Sequence, residues 1–243
     1  MTATEFYKNL TYSNDIEYVE NNVNLNIIAS EITNKNILDY GCGTGDASYI
    51  FNKYYPSKIT GIDIGESNIY ACNKRKNISD NMLFINGDLN TFDLGDSKYD
   101  LIWSVSTIEF LEQDVDHVIQ SFKVAMKKGG ILYLSFTKRN LVNILLYKIL
   151  YFIKKVSNKN ISKLLYILIL LRYRISGLKI KNKENIKNKA KYLFVPFIRL
   201  ISDKEILDAL TNNNFKVLYL RDKIKPDLNS PTHTELKAVF MDK

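Results

Sequence analysis

Short apolar runs recur along the chain, and the polar stretches between them carry apolar residues three and four positions apart. Residues 35–40, 58–62, 82–86, 99–104 and 131–136 have the length of strands, and their near-continuous apolar character fits strands buried on both faces. Helical spacing fills the intervals over 46–55, 66–76 and 113–126. The last of these stops at Lys127-Lys128-Gly129-Gly130, where cations suit the negative helix end and glycine suits the cap. Strands alternating with helices predict a parallel sheet covered on both sides. Further on, Ser202-Asp203-Lys204-Glu205 reads as a capping box that opens a helix ending near Asn212-Asn213-Asn214. Residues 215–221 and 235–241 then predict two closing strands, joined by a loop that holds Pro226, Pro231 and His233. Residues 1–30 predict one or two helices ahead of the first strand.

The first strand runs into Gly41-Cys42-Gly43-Thr44-Gly45, three alternate glycines between a strand and a helix. Glycine at such points lets the backbone approach a ligand closely and adopt positive φ without a Cβ penalty. The second strand ends in Asp63, about 20 positions downstream, where an acid is placed for ribose hydroxyls. This pattern points to a nucleotide-type cofactor.

The 243 residues, 46% of them apolar, suit one domain with a single large core. The net charge of +8 is unevenly spread: residues 138–199 hold 16 Lys and Arg against the single acid Glu184, and the remainder of the chain is net acidic. A basic, mainly helical insertion in an acidic core suggests an anionic partner. Cys42 and Cys72, far apart in sequence, make no disulfide framework and no metal-ligand spacing, so a cytoplasmic setting is expected. The first residues lack the layout of a signal peptide. The longest apolar run, residues 164–171, is well short of the roughly 20 residues that span a bilayer.

Further motifs sharpen this picture. Gly87-Asp88-Leu89 follows the third strand, the fourth reads Tyr99-Asp100-Leu101-Ile102-Trp103-Ser104, and Met126-Lys127-Lys128-Gly129-Gly130 precedes the fifth. With Asp39-Tyr40-Gly41-Cys42-Gly43-Thr44-Gly45 and Asp63, they resemble the class I S-adenosylmethionine-dependent methyltransferases over residues 35–137 and 200–243. The resemblance implies a doubly wound α/β fold: seven strands in the order 3-2-1-4-5-7-6, the last antiparallel, with a helical insertion after strand 5. It implies S-adenosyl-L-methionine as cofactor, S-adenosyl-L-homocysteine as product, and no metal. Cofactor contacts are then expected at Asp39, Gly41, Cys42, Gly43, Gly45, Asp63, Ile64, Asp88, Leu89 and Ser104. A nicotinamide-dependent dehydrogenase is the alternative at fold level, but its third glycine follows the second by three positions, and here the spacing is two.

Methyl transfer from a sulfonium needs alignment above all, and a base only where the acceptor must lose a proton. Relatives that methylate quinol or glycan hydroxyls often carry Glu-His after strand 4, and this chain reads Thr107-Ile108-Glu109-Phe110. Glu109 and His233 are therefore the candidate catalytic residues, His233 because the loop before the last strand reaches the cofactor edge. Residues 138–199 fill the place where this family builds its acceptor pocket, and Arg172, Arg174 and Arg199 are candidates to clamp a small anionic, phosphorylated or nucleotide-linked acceptor. The same apolar and basic stretch suits peripheral contact with a membrane and a lipid-linked acceptor. A cofactor-binding regulatory protein without catalysis is a further reading. No aromatic platform or recognisable module supports nucleic acid.

Overall fold

The computed structural model describes residues 16–75, 78–156, 198–223 and 233–241. Seven strands form one sheet: β1 (Asn36–Tyr40), β2 (Lys58–Asp63), β3 (Met82–Asn86), β4 (Tyr99–Val105), β5 (Met126–Thr137), β6 (Phe215–Lys223) and β7 (His233–Phe240). Their order is β3-β2-β1-β4-β5-β7-β6. The pairs from β3 through β5 are parallel, and β7 runs antiparallel to both β5 and β6. This is the expected doubly wound α/β sheet.

Period-two alternation along the strands divides the core. Ile37, Ile59, Leu101, Trp103 and Tyr133 pack on one face with α1 (Ile16–Asn26), α2 (Asp46–Asn52) and α3 (Glu66–Asn73). Leu38, Ile62, Ile102, Leu132 and Leu134 pack on the other with α4 (Val115–Ala125) and α6 (Asp203–Asn212). Helix α4 buries Val115, Val118, Ile119 and Phe122, the three-and-four spacing that marks a single inward stripe. Burying each of these side chains contributes about 2 kcal/mol relative to exposure. Of the expected capping box of α6, the N-cap half is present, the Ser202 hydroxyl accepting from the Glu205 amide at 3.2 Å.

Three boundaries differ from expectation. Met126 already pairs with Tyr99, so α4 passes directly into β5, and residues 127–130 bulge out of the ladder before pairing resumes at Ile131 with Leu101. Gly129, at φ 74°, serves that bulge and not a helix cap. Strand β4 extends past Ser104 to Val105, and β7 starts at His233, which therefore belongs to the sheet and not to the preceding loop.

The basic insertion leaves and returns at one point on the sheet edge. Ile201 N–H donates to the Thr137 carbonyl, Arg139 N–H to the Ile201 carbonyl, and Lys138 bridges to Ile201. Helix α5 (Leu141–Val156) is its first element. Arg172 and Arg174 lie outside the described residues.

Candidate active site

All five parallel strands end at the same edge, and the glycine loop lies at its centre because β1 is the middle strand of β3 to β5. Gly41, Gly43 and Gly45 all have positive φ. At Gly41 an added Cβ would stand 2.2 Å from Thr107 Oγ1, so glycine is needed there for space as well as for backbone conformation.

Asp63 fastens this loop to the end of β2. Its Oδ2 accepts from the Gly43 amide at 2.9 Å, and its Oδ1 accepts from the Gly65 amide at 2.8 Å and from Asn68 Nδ2 at 3.0 Å. A carboxylate offers about four lone-pair positions, so Oδ2 retains acceptor capacity for a ligand hydroxyl. Ile64, half-buried beside it, accepts from Asn86 Nδ2 through its carbonyl. Past β3, Asp88 Oδ1 accepts from the amide and side chain of Asn90, both at 3.0 Å.

Four other candidates turn their side chains inward. Asp39 lies behind the loop, where the Ser48 hydroxyl donates to it at 2.6 Å, and burial pushes its carboxyl up to about 7. Leu89 is in the apolar core, its carbonyl accepting from Tyr40 Oη at 3.0 Å. Ser104 is buried within β4, one residue short of the strand end. Cys42 contacts Cys72 through their thiols, a meeting that the 30-residue separation did not suggest. Burial, then the bond to Cys72, raises the Cys42 thiol well above its ordinary range, so it packs as a neutral group.

A second group of polar side chains gathers where β4 and β5 end and β7 begins. The two candidate catalytic residues meet here, with His233 Nε2 3.9 Å from Glu109 Oε1. Both are buried. Glu109 comes from the 3₁₀ turn Ile108–Phe110 after β4, and its Oε1 accepts from the Thr137 amide at 3.2 Å and the Thr137 hydroxyl at 3.1 Å. Ser106 Oγ stands 3.3 Å from His233 Nε2. Its φ of 54° puts a non-glycine residue in the left-handed region, a backbone cost of a kind that collects at functional sites. Tyr147 of α5 hydrogen-bonds Thr137, and burial, then the Glu109 charge, raises its hydroxyl.

The sequence pattern singled out Glu109 and His233, but not Ser106, Thr137 or Tyr147. The strand boundary read at Phe136 left Thr137 outside, and nothing local to residue 147 says that its helix folds back onto β5. Arg199 is anchored otherwise than expected: its amide donates to the Glu109 carbonyl at 2.7 Å and its guanidinium to the Gln113 carbonyl at 2.8 Å. His117 is exposed on α4. Among the described residues no group of His, Cys, Asp and Glu could hold a metal ion.

Residues 32–193 match the family model described as a methyltransferase domain. The chain is similar to a malonyl-[acyl-carrier protein] O-methyltransferase of Xylella fastidiosa, 31% identical over 100 residues that are 41% of this chain and 34% of that protein. It is also similar to a fatty-acid O-methyltransferase of Mycolicibacterium smegmatis, 30% identical over 105 residues that are 43% of this chain and 38% of that protein. The matched segments thus span little more than a third of these relatives. In fold it is similar to the magnesium protoporphyrin IX methyltransferase of Synechocystis PCC 6803 with bound SAH, at a TM-score of 0.59 and 16% identity, covering 93% of this chain and 83% of that one. With the family model matched over more than half of its length, the chain belongs to the methyltransferase-domain family and is built on the class I, S-adenosylmethionine-dependent methyltransferase fold.

Proposed function

We propose that this protein is an S-adenosyl-L-methionine-dependent methyltransferase that methylates an oxygen of a small acceptor and releases S-adenosyl-L-homocysteine. The observation that carries the reading is Asp63, which fastens the glycine loop and keeps an acceptor position on Oδ2. In this reading Gly41, Gly43 and Gly45 admit the cofactor backbone, Asp63 and Ile64 hold the ribose, and Asp88 accepts from the adenine amine through its second oxygen. Asp39, Cys42, Leu89 and Ser104 brace the rim from within. The bound cofactor supplies an activated methyl group; the protein aligns the acceptor and excludes water. His233, beside Glu109, receives the acceptor's proton.

The names of the two curated relatives support transfer to oxygen, since both are O-methyltransferases. An anionic, phosphorylated acceptor finds less support. Arg199 is bonded to Gln113, and the rim offers hydroxyls, a phenol, an imidazole and a buried acid. Isothermal titration with S-adenosyl-L-homocysteine tests the cofactor site. Binding in the wild type is expected to fall at least tenfold in Asp63→Ala and in Asp88→Ala, as loss of a charge-assisted hydrogen bond of about 1.5–3 kcal/mol requires. Equal affinity in all three proteins would remove both acids from the site.

A second reading is favoured by α5, which exposes Leu141 at 85%, Val142 at 71% and Leu145 at 60%. In that reading the enzyme works at a membrane surface on a lipid-linked acceptor, with basic residues of the insertion near headgroups. No helix among the described residues is long and apolar enough to cross a membrane. Sedimentation with anionic vesicles separates the readings.

A further inference from the structure

Asp88 opens a tight turn after β3, in which the amides of Thr91 at 3.0 Å and Phe92 at 2.8 Å donate to its carbonyl. Its side chain is held by Asn90. The amide and the side-chain nitrogen of Asn90 both donate to Asp88 Oδ1, each at 3.0 Å, the first bond being the turn that an aspartate makes with the amide two positions on. The remaining polar atoms of Asn90 bond the residues ahead of α4. Its Oδ1 accepts from the Glu112 amide at 2.8 Å, and its carbonyl accepts from the Gln113 side chain. The Arg199 guanidinium donates to the Gln113 carbonyl, so the same chain of bonds runs on to the returning end of the insertion.

Asn90 can do this in one orientation only. The Glu112 N–H is a donor and must meet the side-chain oxygen, which leaves the NH2 group for the carboxyl oxygen of Asp88. A carboxyl group is planar, so two hydrogen bonds that converge on Oδ1 also fix the place of Oδ2. Without such a brace an aspartate carboxyl turns easily about its Cβ–Cγ bond, whose torsion is broad.

We propose that Asn90 is a positioning residue that fixes Asp88 so that Oδ2 meets the exocyclic amine of the cofactor, and thereby selects adenine over a base with an oxo group at that place. The inference rests on the methyl-transfer reading, in which Asp88 accepts from that amine, and adds the residue that makes the acid selective. An amine donates to the fixed oxygen. An oxo group only accepts, and two acceptors held against each other leave both without a hydrogen bond. The discrimination lasts only while Oδ2 is held, because a carboxyl free to turn moves away from the oxo group.

Isothermal titration tests this with S-adenosyl-L-homocysteine and with S-inosyl-L-homocysteine, which carries an oxo group in place of the amine. The wild type is expected to prefer the first by at least about tenfold, as one hydrogen bond to a carboxylate requires. In Asn90→Ala the affinity for S-adenosyl-L-homocysteine should fall by about that factor while the affinity for the inosyl ligand holds, so the preference shrinks accordingly. Asn90→Asp keeps the shape and the oxygen that the Glu112 amide needs, and replaces only the NH2 group. Its preference should be weak at neutral pH and recover as pH falls, when a proton held between the two carboxyls stands in for the amide hydrogen. A preference unchanged in Asn90→Ala, including the case in which both ligands weaken by the same factor, gives Asn90 a merely structural role and overturns the proposal. Should that variant fail to fold, Asn90→Asp decides, and a preference that does not recover at low pH overturns the proposal equally. A wild type that binds neither ligand sinks the methyl-transfer reading itself. One that binds both equally removes Asp88 from the amine, and the proposal with it.

Discussion

Asp39 presents at the scale of one residue the conflict between a polar motif and a buried position. Its carboxyl sits behind the glycine loop with a single hydroxyl donor, and burial lifts it to about 7. An unfolded aspartate titrates near 3.9. Between those two values the native protein binds more protons than the unfolded chain, so this group's contribution to stability is fully present below about pH 4 and declines as pH rises towards 7. The span corresponds to an order of 4 kcal/mol. Asp39→Asn keeps an acceptor for Ser48 and removes the charge, so its thermal midpoint should gain on the wild type from pH 5 to pH 8. A difference between the two proteins that stays flat with pH would show that Asp39 is not buried as an acid. Gly41 is the complementary case, a residue whose lack of a side chain was legible in the sequence, although the reason for it, Thr107, comes from the turn after β4.

At the scale of the element, α5 is the least settled by its own sequence. Asn143 and Tyr147, four residues apart, face the sheet edge, while Leu141, Val142 and Leu145 face away from it. The described side chains that dock thus carry an amide and a phenol. Exchange of Leu141 and Leu145 for glutamine should leave the cofactor affinity unchanged and weaken sedimentation with anionic vesicles, if the membrane reading holds. Undiminished sedimentation of that double variant would take α5 out of the contact. Strand β5 makes a similar point, since its Lys-Lys-Gly-Gly stretch has every local mark of a helix end and still forms a bulge. Pairing of Met126 with Tyr99, remote in sequence, overrides the local signal.

At the scale of the whole molecule, the glycine loop ties together the ends of the two strands that flank β1: Asp63 holds it on the β2 side and Thr107 closes it on the β4 side. A ligand that binds only this assembled edge must stabilise the fold. Saturation with S-adenosyl-L-homocysteine at a hundred times its dissociation constant should add about 2.7 kcal/mol, read as a rise in the thermal midpoint. The rise should be absent in Asp63→Ala. A midpoint that ignores the ligand in the wild type would contradict the proposed cofactor.

The sequence by itself determined the α/β alternation, the glycine loop and the acids after β2 and β3, because each is a local pattern: apolar period, glycine spacing, a residue at a strand end. It also marked Glu109 and His233 separately. Only the tertiary structure decided that these two meet, that Thr137 lies between them, that Tyr147 reaches them from the insertion, and that Cys42 touches Cys72. It also decided that Ser104 and Asp39 face inward. These outcomes depend on strand register and parity across pairs more than 25 residues apart, and a shift of one residue in pairing turns every side chain to the other face.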